Sequence, residues 1–265
     1  MNSEIWFDAC GVETCLAGRP VMEELNLRLR IGESTTILGP NGSGKSTLVK
    51  LIDRNLYPVV KPNASLKLFG GTTVHLQDLR RRLGVVSSEL ESRLMPQISA
   101  FEVVLSSFFG ATRLGRDQHP SANQVERGER LMLRLALDEI SDKPFGHLSD
   151  GQRRRLMIAR ALIHEPQVLV LDEPSRALDL KACHQLMQTL RQLCQAGTTV
   201  VQVTHRIDTI IPEMERVLFL NGGQIVGDGA PAAMLTSAKL SALFDTPLRV
   251  VEANGYRQVL PDTLQ

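Results

Sequence analysis

Residues 34–47 read STTILGPNGSGKST. Ser34 to Leu38 is a short apolar run that leads straight into glycines, the pattern of a buried strand bounded by a turn. Gly39 to Thr47, GPNGSGKST, fits G-x-x-x-x-G-K-[ST], the phosphate-binding loop. Glycines let backbone N–H groups turn inward around phosphate oxygens. Gly39, Pro40, Asn41, Gly42, Ser43, Gly44, Lys45, Ser46 and Thr47 are therefore expected to hold the phosphates of a nucleotide. Lys45 is placed to reach the β- and γ-phosphates as a point charge, and the Ser46 hydroxyl suits Mg²⁺. A helix opening near Lys45 would aim its positive end at the same group.

Working outward, three more apolar runs read as strands. Val168 to Leu171 (VLVL) ends in Asp172, Thr199 to Val203 (TVVQV) ends in Thr204-His205, and Val217 to Leu220 ends at the turn Asn221-Gly222-Gly223. Strands alternating with helical patterns predict a parallel sheet with helices on both faces, its chemistry at the carboxyl ends of the strands. Downstream of a phosphate loop, Asp172 is the expected Mg²⁺ carboxylate, acting through water. Glu173 is the candidate to polarise an attacking water. From about Ile98 to Gly146 the apolar spacing turns helical, which predicts a helical lobe inserted in the sheet domain. Residues 1–30 read as strand-rich, a small antiparallel edge sheet. After Pro231 the pattern predicts helix, then a strand pair around Leu248–Val251 and Arg257–Leu260, turned at Asn254-Gly255.

Composition narrows the partners. The 265 residues are 43% hydrophobic, enough for one substantial core. A formal net charge of +1 gives no bulk attraction to a polyanion, so nucleic acid is not an expected partner. The triplets Arg80–Arg82 and Arg153–Arg155 read as helix faces with ion pairs. Cys10, Cys15, Cys183 and Cys194 form no CxxC pair or zinc spacing and read as free thiols of a reducing compartment. The amino terminus lacks a basic start followed by an apolar run, so no secretory signal is expected. Without a stretch of about 18 apolar residues, any membrane role must come through a partner protein.

Leu148 to Leu162 reads LSDGQRRRLMIARAL and is followed by EPQVLVLDEPSRALD. Together with the phosphate loop, in this order and spacing, these stretches resemble the ATP-binding subunits of ATP-binding cassette (ABC) transporters. LSDGQ is similar to that family's signature, and the resemblance spans nearly the whole chain. It implies an α/β fold: a P-loop NTPase core with a mostly parallel sheet, an N-terminal antiparallel β subdomain and an inserted α-helical subdomain. Residues 1–265 would form a single ATP-binding domain, with the helical subdomain at about 98–146 and a carboxyl-terminal appendage at about 231–265. The resemblance also implies ATP and Mg²⁺ as ligands, and a head-to-tail homodimer in which Ser149, Gly151 and Gln152 of one copy complete the phosphate site of the other. Read without the family, LSDGQ is a helix start capped by Ser149. His205 matches the family's switch histidine, and Asp179 matches an Asp that sits across the dimer, although Asp before a helix is also a good cap.

Two positions depart from the family pattern. Ser88 lies where a Mg²⁺-sensing glutamine is usual, and being shorter it would need a bridging water to reach the metal. The stretch Thr14-Cys15-Leu16-Ala17-Gly18 lacks the usual adenine-stacking aromatic, leaving apolar contact from Leu16 or Cys15, while Trp6 and Phe7 read as core. The segment SSEL, the run Val103–Phe109 and the tail LSALFDTPLRVVEANGYRQVLP are similar to importer ATPases for metal chelates and to a relative implicated in molybdenum uptake. The resemblance thus implies an ATPase, cytoplasmic and peripheral on the inner face of the membrane, driving permease subunits with a solute-binding protein as further component. The alternative is a soluble ABC ATPase acting on another assembly.

Overall fold

The computed structural model describes residues 4–16 and 18–262, so Ala17 and the first three residues of the amino-terminal stretch lie outside the described residues. The chain runs β1 (Ile5–Leu16), β2 (Arg19–Arg30), β3 (Thr35–Leu38), α1 (Lys45–Ile52) and β4 (Ser65–Leu68). Next come α2 (Leu76–Arg82), β5 (Leu83–Val86), α3 (Ser88–Ser92), α4 (Ala100–Leu105), α5 (Ala122–Arg134) and α6 (Asp150–Leu162). Then follow β6 (Val168–Asp172), α7 (Leu180–Gln195), β7 (Thr199–Thr204), β8 (Arg216–Asn221) and β9 (Gln224–Gly229). Two helices, α8 (Pro231–Met234) and α9 (Ser237–Phe244), precede the strands β10 (Leu248–Ala253) and β11 (Tyr256–Pro261). The elements group into two compact units. One comprises the chain up to Val74 with Arg191 onward, the other His75–Leu190.

In the first unit β3 is central, paired in parallel with both β7 and β8, while β9 runs antiparallel on β8. Every residue of β3 and β7 is buried, the continuous burial of strands covered on both faces. The amino-terminal strands form the expected antiparallel sheet, ordered β2-β1-β4. There β2 alternates, burying Met22, Leu25, Leu27 and Leu29 and exposing residues between them. Trp6 and Phe7 are fully buried, as core residues should be. The tail hairpin turns at Asn254-Gly255, with φ of 52° and 78°, the left-handed pair a two-residue turn needs, and Ala253 opposite Tyr256.

In the second unit β5 and β6 pair in parallel, Val86 opposite Leu171. The helical pattern predicted for 98–146 yields α4 and α5, with short 3-10 turns at Ser106–Phe109, Asp138–Ile140 and Phe145–His147. These pack on α6 through Val103, Val104, Met132, Leu156 and Met157, all buried. Gly128 is where α5 meets α4: a Cβ there would lie 2.9 Å from the Phe101 ring. Arg160, buried on α6, donates to Val103 O, Ser106 Oγ (2.7 Å) and Ala111 O (2.6 Å), tying down the end of α4. Burial, with Arg80 adding repulsion, pulls its guanidinium down to about 10, still protonated at neutral pH. Of the second arginine triplet, Arg153 pairs with Asp150 (3.3 Å) and Arg154 with Glu91 (3.6 Å), while Arg155 donates to the Leu135 carbonyl.

Candidate nucleotide-binding site

The phosphate loop belongs to the first unit. Its entry is fixed by Gly39 N donating to Thr204 O (3.4 Å) and by Gly223 N donating to Ser43 O (2.9 Å). Gly39 admits no side chain, because a Cβ would lie 2.1 Å from the Leu220 carbonyl oxygen. Gly42 and Gly44 hold φ of 80° and 101°, a conformation that any Cβ would strain. Helix α1 opens at Gly44 with no capping side chain and no acidic residue in its first turn. Its first backbone bond is Leu48 N to Gly44 O (2.9 Å), so the N–H groups before Leu48 have no partner within the helix. Lys45, only 6% exposed, folds its ammonium over the loop and donates to Gly39 O and Pro40 O, each at 2.8 Å. The buried Ser43 hydroxyl has no hydrogen-bond partner among the described residues. An uncapped helix start, a curled lysine and an orphaned hydroxyl around one glycine loop fit a multiply charged phosphate. Ser46 is exposed one residue past the lysine and offers Mg²⁺ a hard oxygen.

His205 leaves the sheet beside this loop. Leu38 is opposite Thr204, so the residues that follow both strands emerge at one carboxyl edge. The Thr204 hydroxyl accepts from Arg206 N (3.0 Å), closing a tight turn around His205.

The acidic strand end belongs to the second unit. Asp172 closes β6 and is 8% exposed. Glu173 follows with φ 47°, a left-handed conformation that costs a non-glycine residue free energy and often marks a functional position. Because Val86 pairs with Leu171, Ser88 and Glu173, each two residues on, leave neighbouring strands at the same edge. Ser88 is exposed as the first residue of α3, whose cap is Ser87, its hydroxyl accepting from Leu90 N (3.4 Å). Ser88 and Asp150 line a cavity of about 400 Å³ with Glu91, Arg153, Arg154 and Arg176.

The signature opens α6 with a full capping box. Ser149 Oγ accepts from Gln152 N (3.3 Å), and Gln152 Oε1 accepts from Ser149 N (3.0 Å). Gly151 sits against α7: a Cβ there would lie 2.7 Å from Ala182 Cβ. Asp179 caps α7, its Oδ1 accepting from Ala182 N at 2.7 Å. The capping roles read from sequence for Ser149 and Asp179 are therefore present. At the position of the absent aromatic, Cys15 is exposed and Leu16 is 38% exposed. Sequence reading missed Thr204 as a loop anchor and the backbone strain at Glu173. Neither carries a periodic or motif signal beyond its neighbours.

Fold and site together define a nucleotide-binding cassette. The ABC transporter family model matches residues 22–176, and the chain belongs to that family. It is 37% identical over 224 residues to the cobalt import ATP-binding protein CbiO of Rhodobacter capsulatus, covering 83% of this chain and 76% of CbiO. A metal-chelate type ABC transporter solved in an inward-facing conformation has the same fold, with a TM-score of 0.78, 24% identity and 98% of each chain covered. The cassette MJ0796, solved as a dimer after hydrolysis with ADP and Pi, is 27% identical with a TM-score of 0.70, covering 84% of this chain and 98% of that one. The chain is an ATP-binding cassette ATPase of the kind that drives transport. Among the described residues no helix is long and apolar enough to cross a membrane.

Proposed function

We propose that this chain is the ATP-hydrolysing subunit of an importer for a metal chelate or related small solute, driving a separate transmembrane permease from the inner face of the membrane. The observation that carries the reading is the phosphate loop, with its uncapped α1 and the Lys45 ammonium lying over it. The likeness to CbiO supports import, and the dimeric cassette MJ0796 supports a homodimer. A solute-binding protein is the further component this reading expects. Residues 1–265 act as one ATP-binding domain, with 98–146 as the lobe facing the permease and 231–265 as an appendage.

The loop amides, from Gly39 to Thr47, bind the triphosphate, and Lys45 exchanges its two carbonyl partners for phosphate oxygens. Ser46, Asp172 and Ser88 are the residues that would hold Mg²⁺, the last two through water, and the ion would supply charge neutralisation for the phosphates. Glu173 takes a proton from the attacking water, and His205 orients that water toward the γ-phosphate. Ser149, Gly151 and Gln152 of a second copy donate to the same phosphate, with Asp179 bridging the two copies. The Ser149 hydroxyl accepts the cap bond, which leaves its proton available for this donation.

Glu173→Gln tests the reading. Loss of a general base lowers turnover by about 10²-fold or more, so ATP should hold two copies together as a dimer on size exclusion. A variant that stays monomeric with ATP sinks the shared site.

A further inference from the structure

We propose that the carboxyl-terminal hairpin β10–β11 positions His205, acting through the turn Ile207–Thr209. The inference rests on the reading of His205 given under Proposed function, and it assigns the appendage a part in hydrolysis. A two-stranded hairpin is marginal on its own in water, so what it packs against determines where it sits. Strand β11 lies against the 3-10 turn Ile207–Thr209, which begins two residues after His205. At the hairpin tip, Gly255 approaches Pro212 so closely that a Cβ would lie 3.1 Å from its Cγ. Arg191 Nε donates to Glu213 Oε1 at 2.7 Å, and that bond foremost, with the Tyr256 phenol close by, favours the charged guanidinium. The hairpin thus grips the segment 207–213 at both ends. Val251 and Leu260, nearly half exposed, lie farther from the tip than Tyr256 along the same face.

The gripped turn is tied to His205 by polar side chains. Buried Gln202 on β7 donates from Nε2 to both the carbonyl and the hydroxyl of Thr209, each at 3.2 Å. The Thr209 hydroxyl donates to Arg206 O (3.1 Å), while Thr204 Oγ1 accepts from Arg206 N (3.0 Å). Arg206 is further held by Asp208. His205 lies between two residues fixed by this network, so a shift of the turn moves its imidazole. The bonds from Lys45 to Gly39 O and Pro40 O, from Gly39 N to Thr204 O and from Gly223 N to Ser43 O all lie outside the hairpin. Loosening the hairpin should therefore slow hydrolysis without weakening nucleotide binding. Tyr256 and Thr209 are positioning residues, acting through His205.

The test measures kcat, KM and nucleotide affinity on full-length variants, each assayed well below its own melting temperature. A small misplacement of a catalytic group is costly, so Tyr256→Ala and Thr209→Val should each lower kcat about tenfold or more while nucleotide affinity stays within about twofold. Thr209→Ser, which keeps the hydroxyl, should retain the native rate, as should Val251→Ala at an exposed position away from the hairpin tip. Tyr256→Phe replaces Tyr256→Ala if the latter fails to fold. In a His205→Ala background the same changes should have no further effect, because they act through that side chain. Native kcat in both Tyr256 and Thr209 variants, or equal losses with and without His205, overturns the inference. Full activity of His205→Ala would instead remove the role given to His205 itself.

Discussion

Gly39 carries a severe steric demand, a Cβ there lying 2.1 Å from the Leu220 carbonyl oxygen. Its missing Cβ would fall inside the Leu220 carbonyl, which is backbone and cannot rotate away. Gly39→Ala is expected to cost about 1–3 kcal/mol of stability and to lower ATP affinity, read by urea unfolding and by nucleotide titration. His164 makes a different prediction. Its Nε2–H donates to Ser107 O at 3.2 Å, and its ring meets Phe108 edge-on. Burial foremost, with repulsion from Arg127, Arg81 and Arg80, holds it below the ordinary 6.5 despite the carbonyl bond. The unfolded chain then takes up the proton first, so this contribution is complete above pH 6.5 and drains away as pH falls toward the lower folded value. Urea midpoints should decrease from pH 7.5 to 5.5, and His164→Gln should flatten that slope.

At the scale of elements, two helices start in the same way. Both α5, at Ser121 and Gln124, and α6, at Ser149 and Gln152, carry reciprocal capping boxes. Ser121→Ala and Ser149→Ala should therefore cost similar stability, about 1 kcal/mol each. Only Ser149→Ala should also depress ATPase activity, since only that hydroxyl is proposed to meet phosphate. Equal ATPase rates in the two variants would reduce the signature serine to a cap. The same comparison shows the limit of motif reading: S-x-x-Q at 121 and at 149 is one local device, and the second use of Ser149 depends on a copy that the helix itself does not contain.

For the whole molecule, the units Val74-and-before with Arg191-onward, and His75–Leu190, divide the candidate residues between them. The loop and His205 fall in one, and Asp172, Glu173, Ser88, Ser149, Gly151, Gln152 and Asp179 in the other. Among the described residues no helix is long and apolar enough to cross a bilayer, and in the proposed function it is the permease that holds the chain at the membrane. Expressed with its permease, the protein should sediment with membranes and be released when the permease is omitted. Membrane recovery without the permease would contradict that attachment.

The phosphate loop, the buried strands around it, the tail hairpin and the helix caps at Ser149 and Asp179 were legible in the amino-acid order, because each depends on residues within a few positions of one another. Glycine spacing, runs of buried apolar residues, Asn-Gly and S-x-x-Q are local statements about dihedrals and hydrogen bonds. Folding of the chain decided which distant backbone atoms stand beside them. Thr204 and Leu220 reach Gly39 because β7 and β8 bring residues about 170 positions away against β3. The seating of β11 on the turn after His205 is of the same kind. Such contacts arise from strand register and long-range packing, which have no period within a segment, so they become visible only when the strands are paired.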